Sequence, residues 1–348
     1  MTRVKNLIVK RQVHKLPFLF GFFLVLLFTT STKDDFIGHT AKAEVNSTNA
    51  TINNLGQSSS NKTHIDMNTP LDNSVKHVII IVMENKGYTQ VIGSGSAPYQ
   101  NQLAKNYASA SKYYGVYPDS LPNYISMISG YPYLTDDKDP DAMSPLKELK
   151  EHTIVNLLQS KNLSWKGYFE DMPQVCHLKD SGGSGYIAHH NPFIYFDLRN
   201  DDSCKNTVGL DEFYKDLSNQ TLPNYSFIVP NNIHNTHDST VTEGDNWLSN
   251  FVPKIVKSST FNNTALFIVY DEGKKHDKSG FGSGTYAVNG GRLPLLLVSP
   301  FANKGFVSPH EYSHYNLLTT VEKILKLGNL GKGDAAAKPM TDLFMTLS

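Results

Sequence analysis

One serine lies at the predicted start of a short helix. Apolar side chains after it recur with the spacing of one helix face, at Tyr124, Ile125 and Ile128. Pro122 is tolerated in a first helical turn, and Gly130 provides a stop signal. Ser120 therefore lies where free backbone N–H groups and the positive end of the helix dipole favour an anion. Taken alone, a serine at this position is first of all an N-cap, so a chemical role depends on the rest of the chain.

Pairs of residues with side-chain oxygens follow two apolar runs, at residues 78–83 and 265–270. The first run ends in Glu84 and Asn85, and the second ends in Asp271 and Glu272. Runs without polar alternation are typical of strands buried on both faces of a parallel sheet. Ligands bind at the carboxyl ends of such strands, so the two pairs indicate a metal site. The alternative is that these residues only cap helices or form turns.

The elements that must position these residues alternate along the chain. A helical pattern spans residues 153–160, apolar strand patterns span 225–230 and 293–298, and Ser313 precedes a last helix that Gly328 would end. Strands that alternate with helices predict an α/β fold, with a mostly parallel central sheet flanked by helices on both faces. The sequence has no internal repeat and no strong domain boundary within this region.

The charge balance excludes one class of partner. The 348 residues include 32 basic and 32 acidic side chains, which gives a formal net charge of zero. Long-range attraction to nucleic acid or to an anionic membrane is therefore not expected. The length suits one large domain with appendages, or two small domains.

Residues 1–43 have the form of a secretory signal. A basic flank precedes an apolar run from Leu16 to Phe28, and Ala41-Lys42-Ala43 has the pattern of a cleavage site. The run is short for a membrane span, which needs about 20 residues. We expect a cleaved signal peptide. An uncleaved N-terminal anchor, which would be the chain's one contact with a membrane, and a buried helix are the alternatives.

Residues 44–74 are rich in Asn, Ser and Thr and almost free of large apolar side chains. Such a composition cannot offset the entropy of ordering, so we expect a disordered linker. Behind a signal sequence, the chain's seven Asn-X-Ser/Thr triplets favour glycosylation and an extracellular or cell-surface location. These triplets begin at Asn46, Asn49, Asn61, Asn162, Asn219, Asn224 and Asn262. In that compartment Cys176 and Cys204 favour a disulfide, with two buried free thiols as the alternative.

Together, these motifs resemble the bacterial, archaeal and fungal phosphoesterase family, which contains acid phosphatases and phospholipases C. That family belongs to the alkaline-phosphatase-like superfamily. The segments that carry the resemblance follow one another in order: residues 77–85, 120–130, 169–177, 189–196, 230–247, 270–273 and 312–327. The acid-phosphatase branch is the closer match because of Cys176, the His189-His190-Asn191-Pro192-Phe193 run and Cys204. The resemblance implies that residues 75–348 form a phosphoesterase catalytic domain.

The resemblance also implies roles for the residues singled out above. Ser120 corresponds to the family's nucleophile and would also contact the metal. A divalent metal would be held by Glu84, Asn85, Asp271 and Glu272. An all-oxygen ligand set favours a hard ion such as Mg²⁺, Ca²⁺ or Mn²⁺, and the absence of a His-rich set favours one metal over two. Asn123 would bind the substrate phosphate with its amide.

Two histidines match family positions that line the site. His190 and His237 would hydrogen-bond phosphate oxygens, and one of them would protonate the leaving oxygen. The roles of His189, His234, His314 and Glu170 stay open. Asp245 could orient a histidine or cap the next helix, and we expect capping.

The sequence therefore favours a secreted, metal-dependent acid phosphatase that acts on small phosphate monoesters through a phosphoserine. A phospholipase C or another phosphodiesterase with the same centre is the first alternative. The second is a glycosylated surface protein that keeps the fold but only binds ligands. The physiological substrate, the metal, the pH optimum and the oligomeric state do not follow from the sequence.

Overall fold

The computed structural model describes residues 74–134, 149–196, 202–274 and 277–345. The predicted signal segment 1–43 and residues 44–73 of the predicted linker lie outside these ranges, as do the acceptor triplets that begin at Asn46, Asn49 and Asn61. Within the described ranges, no helix combines the length and the apolar character needed to cross a bilayer.

The strands of the described residues form one eight-stranded sheet. In chain order they are β1 (His77–Met83), β2 (Ala108–Tyr114), β3 (Trp165–Phe169), β4 (Thr207–Gly209), β5 (Tyr225–Val229), β6 (Thr264–Tyr270), β7 (Arg292–Val298) and β8 (Val307–Ser313). Their order across the sheet is β4-β3-β5-β1-β6-β7-β2-β8. Neighbouring strands are parallel except where β7 pairs with β6 and β2. The prediction of a mostly parallel sheet is confirmed.

The helices are α1 (Tyr88–Val91), α2 (Pro98–Asn106), α3 (Ser120–Ser129), α4 (Ile154–Ser160), α5 (Leu210–Asn219), α6 (Val241–Val256), α7 (His314–Leu325) and α8 (Gly333–Ala336). They form two groups around the sheet. Helix α3 contacts α4 and α7, and α7 contacts α8, whereas α2 packs on α6. This arrangement agrees with the predicted helices on both faces of an α/β sheet.

The register of the central strands brings the predicted ligand pairs together. Strands β1 and β6 pair along their whole length, with Met83 opposite Tyr270, and nearly all their side chains are buried. The chain therefore leaves the two strands at the same edge of the sheet, and the backbone N–H of Asp271 donates to the carbonyl of Met83 at 2.9 Å. Glu84 and Asp271 begin the two segments that follow.

Helix α3 begins at Ser120, with Asp119 as its N-cap residue. Ser120 is thus the first helical residue and does not cap the helix. Gly130 ends the helix as predicted, in the left-handed conformation with φ of 72°. All ten side chains of α3 are buried, which fixes the helix firmly between the sheet and its neighbours.

Helix α7 ends earlier than predicted. Its C-cap is Lys326, which adopts a left-handed conformation with φ of 56° and donates its backbone N–H to the carbonyls of Glu322 and Lys323. Gly328 also has a positive φ, of 92°, but it lies in the following loop. The predicted stop at Gly328 was therefore wrong by two residues, because a lysine took the conformation that glycine usually supplies.

Candidate active site

The predicted metal ligands and the predicted nucleophile lie together at the carboxyl edge of the sheet. The Ser120 hydroxyl donates to Glu84 Oε2 at 3.2 Å and is 3.4 Å from Glu272 Oε1. The backbone N–H of Asn85 donates to Asp271 Oδ1 at 3.1 Å. Five residues from three separate parts of the sequence thus form one cluster around the N-terminus of α3.

This cluster concentrates negative charge in a buried place. Glu84 and Asp271 are both 0% exposed, and among the described residues no donor forms a hydrogen bond with the Oδ2 atom of Asp271. Burial first, and then the neighbouring Asp271, raise the pKa of Glu84 well above its ordinary value. Burial also raises the pKa of Asp271. Carboxylates packed in this way need protons or a cation to neutralise them.

The donor chemistry of the cluster fits a hard divalent ion. Carboxylate, amide and hydroxyl oxygens are the ligands that Mg²⁺, Ca²⁺ and Mn²⁺ prefer. By themselves, the His, Cys, Asp and Glu side chains of the described residues form no group of three or more that could hold a metal ion. An ion at this place would therefore need Asn85 or Ser120 in addition to the unpartnered Asp271 oxygen and the other carboxylates.

Tyr124 belongs to the cluster, although sequence reasoning treated it only as a core residue. Its hydroxyl donates to Glu84 Oε1, and its ring stacks on His190 with the ring centroids 5.1 Å apart. Tyr124 lies one helical turn after Ser120, so both side chains leave α3 on the same face. That spacing was the signal in the sequence that could have identified it.

The two predicted catalytic histidines lie next to each other. His190 is buried, and its Nε2 lies 3.4 Å from Glu84 Oε1. Burial, followed by the charges of His189 and His237, lowers the pKa of His190 well below its ordinary value. The rings of His190 and His237 have centroids 5.9 Å apart. His237 is more exposed, and its Nδ1 is 2.6 Å from Asp238 Oδ1, which leaves Nε2 available for a substrate.

His234 and Glu170 form a second pair. His234 Nδ1 lies 2.8 Å from Glu170 Oε2, which also accepts the backbone N–H of Asn231 at 3.0 Å. The His234 ring stacks on Trp247. These contacts hold together the segment that follows β5, which also carries His237.

His314 has a buried supporting position. Its Nε2 lies 2.6 Å from the carbonyl oxygen of Asp271, and its Nδ1 lies 2.9 Å from the Tyr113 hydroxyl. The carbonyl can only accept, so Nε2 carries the proton and Nδ1 accepts from the tyrosine. Burial lowers the pKa of His314 to about 4. The ring therefore braces the backbone of Asp271 and does not face a substrate.

The expectation that Asp245 caps the helix that follows it was wrong, because Asp245 binds the start of an earlier helix. It lies inside α6, and its two carboxylate oxygens accept the backbone N–H groups of Tyr99 and Gln100, each at 2.9 Å. Those groups belong to the first turn of α2, which begins at Pro98. The partner is thus about 145 residues earlier in the chain.

Asn123 differs from its expected role. Its Oδ1 accepts the backbone N–H groups of Val116 at 2.7 Å and Tyr117 at 3.1 Å. Its Nδ2 donates to the carbonyls of Tyr117 at 2.6 Å and Asp119 at 2.8 Å. The amide is fully buried, and backbone groups occupy it. In this structure, Asn123 shapes the turn that presents Ser120 and does not point to a substrate phosphate.

A strained turn at Thr236 supports the backbone of Glu84. Thr236 has a φ of 84°, which is rare for a β-branched residue. Its hydroxyl donates to the Glu84 carbonyl at 2.6 Å, and its own carbonyl accepts Lys86 Nζ at 2.7 Å. The turn packs against Gly244 of α6, where an added Cβ would lie 2.3 Å from Thr236 Cγ2.

The predicted disulfide joins Cys176 to Cys204. The two residues are 28 positions apart, and their Cα atoms are 5.3 Å apart. The segment that the bond closes carries His189 and His190. The disulfide therefore restrains the part of the chain that delivers one of the candidate catalytic side chains.

Comparisons with known proteins agree with this arrangement. The sequence model of the Phosphoesterase family matches residues 94–328. A probable acid phosphatase of Kluyveromyces lactis is 29% identical over 274 residues, which cover 75% of this chain and 61% of that protein. A phosphatidylinositol-3-phosphatase of Mycobacterium tuberculosis is 28% identical, over 77% of this chain and 82% of that protein. The chain thus spans less than two thirds of the yeast relative.

Solved structures support the fold. A member of the alkaline phosphatase superfamily from Vibrio parahaemolyticus matches with a TM-score of 0.51 and 15% identity, over 75% of this chain and 70% of that one. The structure of BT1596, a 2-O glycosaminoglycan sulfatase, matches with a TM-score of 0.52 and 11% identity, over 79% of this chain and 76% of that one. The family match covers well over half of the chain, and the resemblance drawn from the sequence is confirmed: the chain belongs to the phosphoesterase family.

Proposed function

We propose that the chain is a metal-dependent phosphatase of the acid phosphatase type, which hydrolyses small phosphate monoesters through a phosphoserine. The observation that carries this proposal is the position of Ser120. Its hydroxyl lies at the N-terminus of α3 and within 3.4 Å of two carboxylates, Glu84 and Glu272. A serine in this place can lose its proton to a carboxylate, while the helix N-terminus favours the incoming phosphate.

Each protein group has a defined task in the first half of the reaction. Ser120 Oγ bonds to phosphorus while the bond from phosphorus to the leaving oxygen breaks, and a carboxylate of the cluster holds the serine proton. The leaving oxygen takes a proton from His237, whose Nδ1 is held by Asp238. His190 is kept neutral by burial and can donate a hydrogen bond to a phosphate oxygen.

The second half reverses these roles. Water attacks phosphorus, His237 takes one of its protons, and Ser120 leaves with the proton held by the carboxylate. Glu84, Asn85, Asp271 and Glu272 would hold a divalent ion that, when bound, neutralises charge on the phosphoryl oxygens and favours ionised serine.

A location outside the cell is part of the proposal. It rests on the signal pattern in residues 1–43, the disulfide and the acceptor triplets. Of the triplets in the described residues, those at Asn162, Asn219 and Asn262 have exposed asparagines. Asn224 is less suited to carry a glycan, because its amide binds Ser164 and the backbone of Lys76.

The direct test is the replacement of Ser120 by alanine. We expect Ser120→Ala to lose turnover of a generic aryl phosphate while its melting temperature stays close to that of the unmodified protein. Ser126→Ala is the matched control, because Ser126 lies in the same buried helix and its hydroxyl donates to the carbonyl of Pro122, away from the carboxylates. Activity retained in Ser120→Ala, or lost equally in Ser126→Ala, contradicts the proposal.

Phosphodiester or phospholipid hydrolysis is the second candidate. It is favoured by the match to a non-hemolytic phospholipase C of Burkholderia pseudomallei, which is 25% identical over 68% of this chain and 41% of that protein. Equal amounts of enzyme should be assayed on an aryl phosphate, on phosphatidylcholine and on a phosphoinositide monophosphate. Preference for phosphatidylcholine would replace the monoesterase assignment. Purified protein that contains no metal and hydrolyses none of the three would favour a ligand-binding role.

A further inference from the structure

Tyr124 is a buried residue of the cluster to which the mechanism above gives no task. It lies in the second turn of α3, four residues after Ser120, and is 0% exposed. Its hydroxyl donates to Glu84 Oε1, while the Ser120 hydroxyl donates to Glu84 Oε2 at 3.2 Å. Two hydroxyls on one face of one helix therefore bind the two oxygens of the same carboxylate.

Packing fixes the position of the Tyr124 hydroxyl. The ring stacks on His190, with the centroids 5.1 Å apart and the planes inclined by 19°, and it meets Phe227 edge to face at 6.3 Å. His190 and Phe227 are themselves buried. All side chains of α3 are buried as well, so Tyr124 and Ser120 cannot move relative to each other without disturbing the core.

The carboxylate of Glu84 needs a support of this kind. A glutamate side chain rotates about several bonds, so packing and hydrogen bonds must decide which oxygen faces the serine. Thr236 donates to the backbone carbonyl of Glu84, but that contact does not set the side chain. The neighbouring Asp271 repels an ionised Glu84. A donor on Oε1 opposes this repulsion and keeps Oε2 directed at Ser120.

We propose that Tyr124 is a positioning residue for the attack of Ser120 on phosphorus. Its hydroxyl holds Glu84 Oε1, and the carboxylate thereby keeps its other oxygen against the serine hydroxyl. Tyr124 acts through Glu84, does not touch the substrate and adds no bond change to the reaction. This inference rests on the proposed function, because it concerns the step in which Ser120 is the nucleophile.

The test is Tyr124→Phe, which removes the hydroxyl and keeps the ring that packs on His190. We expect kcat for an aryl phosphate to fall on the order of 10–100-fold, with KM nearly unchanged, because the carboxylate loses its fixed orientation towards the nucleophile. A residue that only stabilised the fold would lower the melting temperature and leave kcat per folded molecule unchanged.

Tyr168→Phe is the matched control. Tyr168 is also 0% exposed, and its hydroxyl donates to a carboxylate oxygen, Asp216 Oδ2, at 2.7 Å. It lies in β3, which is separated from β1 by β5. This variant loses the same kind of buried hydrogen bond away from the nucleophile, so its melting temperature should fall while kcat stays unchanged.

A double-mutant cycle with Glu84→Asp shows whether Tyr124 acts through Glu84. The aspartate is one methylene shorter, so its carboxylate cannot bind the tyrosine and the serine in the same way. In the Glu84→Asp protein, Tyr124→Phe should therefore lower kcat by less than about 2-fold, because the contact that it removes is already lost. An equal fold-loss of kcat in the two backgrounds would mean that Tyr124 acts by another route.

The results separate this inference from the proposed function. If Ser120→Ala is inactive while Tyr124→Phe keeps its kcat, or if Tyr168→Phe loses as much kcat as Tyr124→Phe, the positioning role is overturned and the phosphoserine mechanism stands. If Ser120→Ala keeps its turnover, the proposed function fails, and the role of Tyr124 fails with it.

Discussion

Replacement of Asn123 by alanine tests whether this residue shapes the nucleophile turn or contacts the substrate. The side chain makes four hydrogen bonds to backbone groups of Val116, Tyr117 and Asp119. Each hydrogen bond contributes about 1 kcal/mol net, and a buried donor left alone costs about as much again or more. We therefore expect Asn123→Ala to lower the free energy of unfolding by about 3–4 kcal/mol.

The assays are urea unfolding, thermal melting and steady-state kinetics on an aryl phosphate. The stability change corresponds to a fall in melting temperature on the order of 10 °C. Because the turn positions Ser120, we expect kcat to fall on the order of 10–100-fold, with a smaller change in KM. An unchanged melting temperature with a large rise in KM would refute this reasoning, since it would mean that the amide binds substrate.

Three further predictions concern the supports of the site. Burial gives His314 a folded-state pKa of about 4, below its ordinary value of 6.5, so the free energy of unfolding should fall as the pH drops from 6.5 toward 4. His314→Gln should flatten this dependence in urea unfolding at a series of pH values. Gly244→Ala places a methyl group against Thr236, so the melting temperature and the kcat of this variant should both fall. Gly209→Ala is the control: its new Cβ lies 3.5 Å from the nearest atom, so neither the melting temperature nor kcat should change. Replacement of both disulfide cysteines by alanine opens a loop of 28 positions and should lower the free energy of unfolding by about 3–4 kcal/mol in urea unfolding. An unchanged pH dependence in His314→Gln would contradict the first prediction, and a Gly209→Ala protein as unstable as Gly244→Ala would contradict the second. A loss of less than about 1 kcal/mol on removal of the disulfide would contradict the third.

The sequence located the cluster because its members follow strong local signals. Glu84 and Asp271 come directly after buried strands, and parallel strands that end together place such residues side by side. Ser120 was recognisable from the helix pattern that follows it. The same reasoning could have identified Tyr124 as a site residue, because the i+4 spacing from Ser120 puts both side chains on one helix face.

The sequence could not show contacts that depend on tertiary packing. The partners of Asn123 are backbone groups of an irregular loop, which no residue pattern specifies. The helix that Asp245 caps is α2, whose first turn comes about 145 residues earlier in the chain. The left-handed Thr236 contradicts the local preference of a β-branched residue, so only its surroundings can impose it.

The sequence also did not predict the direction of strand β7. Its apolar run predicted a strand at 293–298, and the strand spans Arg292–Val298. A short apolar run carries no information on direction, and β7 lies antiparallel between β6 and β2. Parallel β6 and β2 nevertheless keep their carboxyl ends at the same edge, so the antiparallel strand leaves the site intact.

The stereochemical course at phosphorus tests the central claim most directly. A phosphate monoester made chiral with oxygen isotopes is turned over in the presence of an acceptor alcohol, and the configuration of the new ester is measured. Each in-line displacement inverts phosphorus. Attack by Ser120 followed by attack of the alcohol involves two displacements, so we expect net retention. Net inversion would mean that the acceptor attacks the substrate directly, and it would contradict a phosphoserine at Ser120.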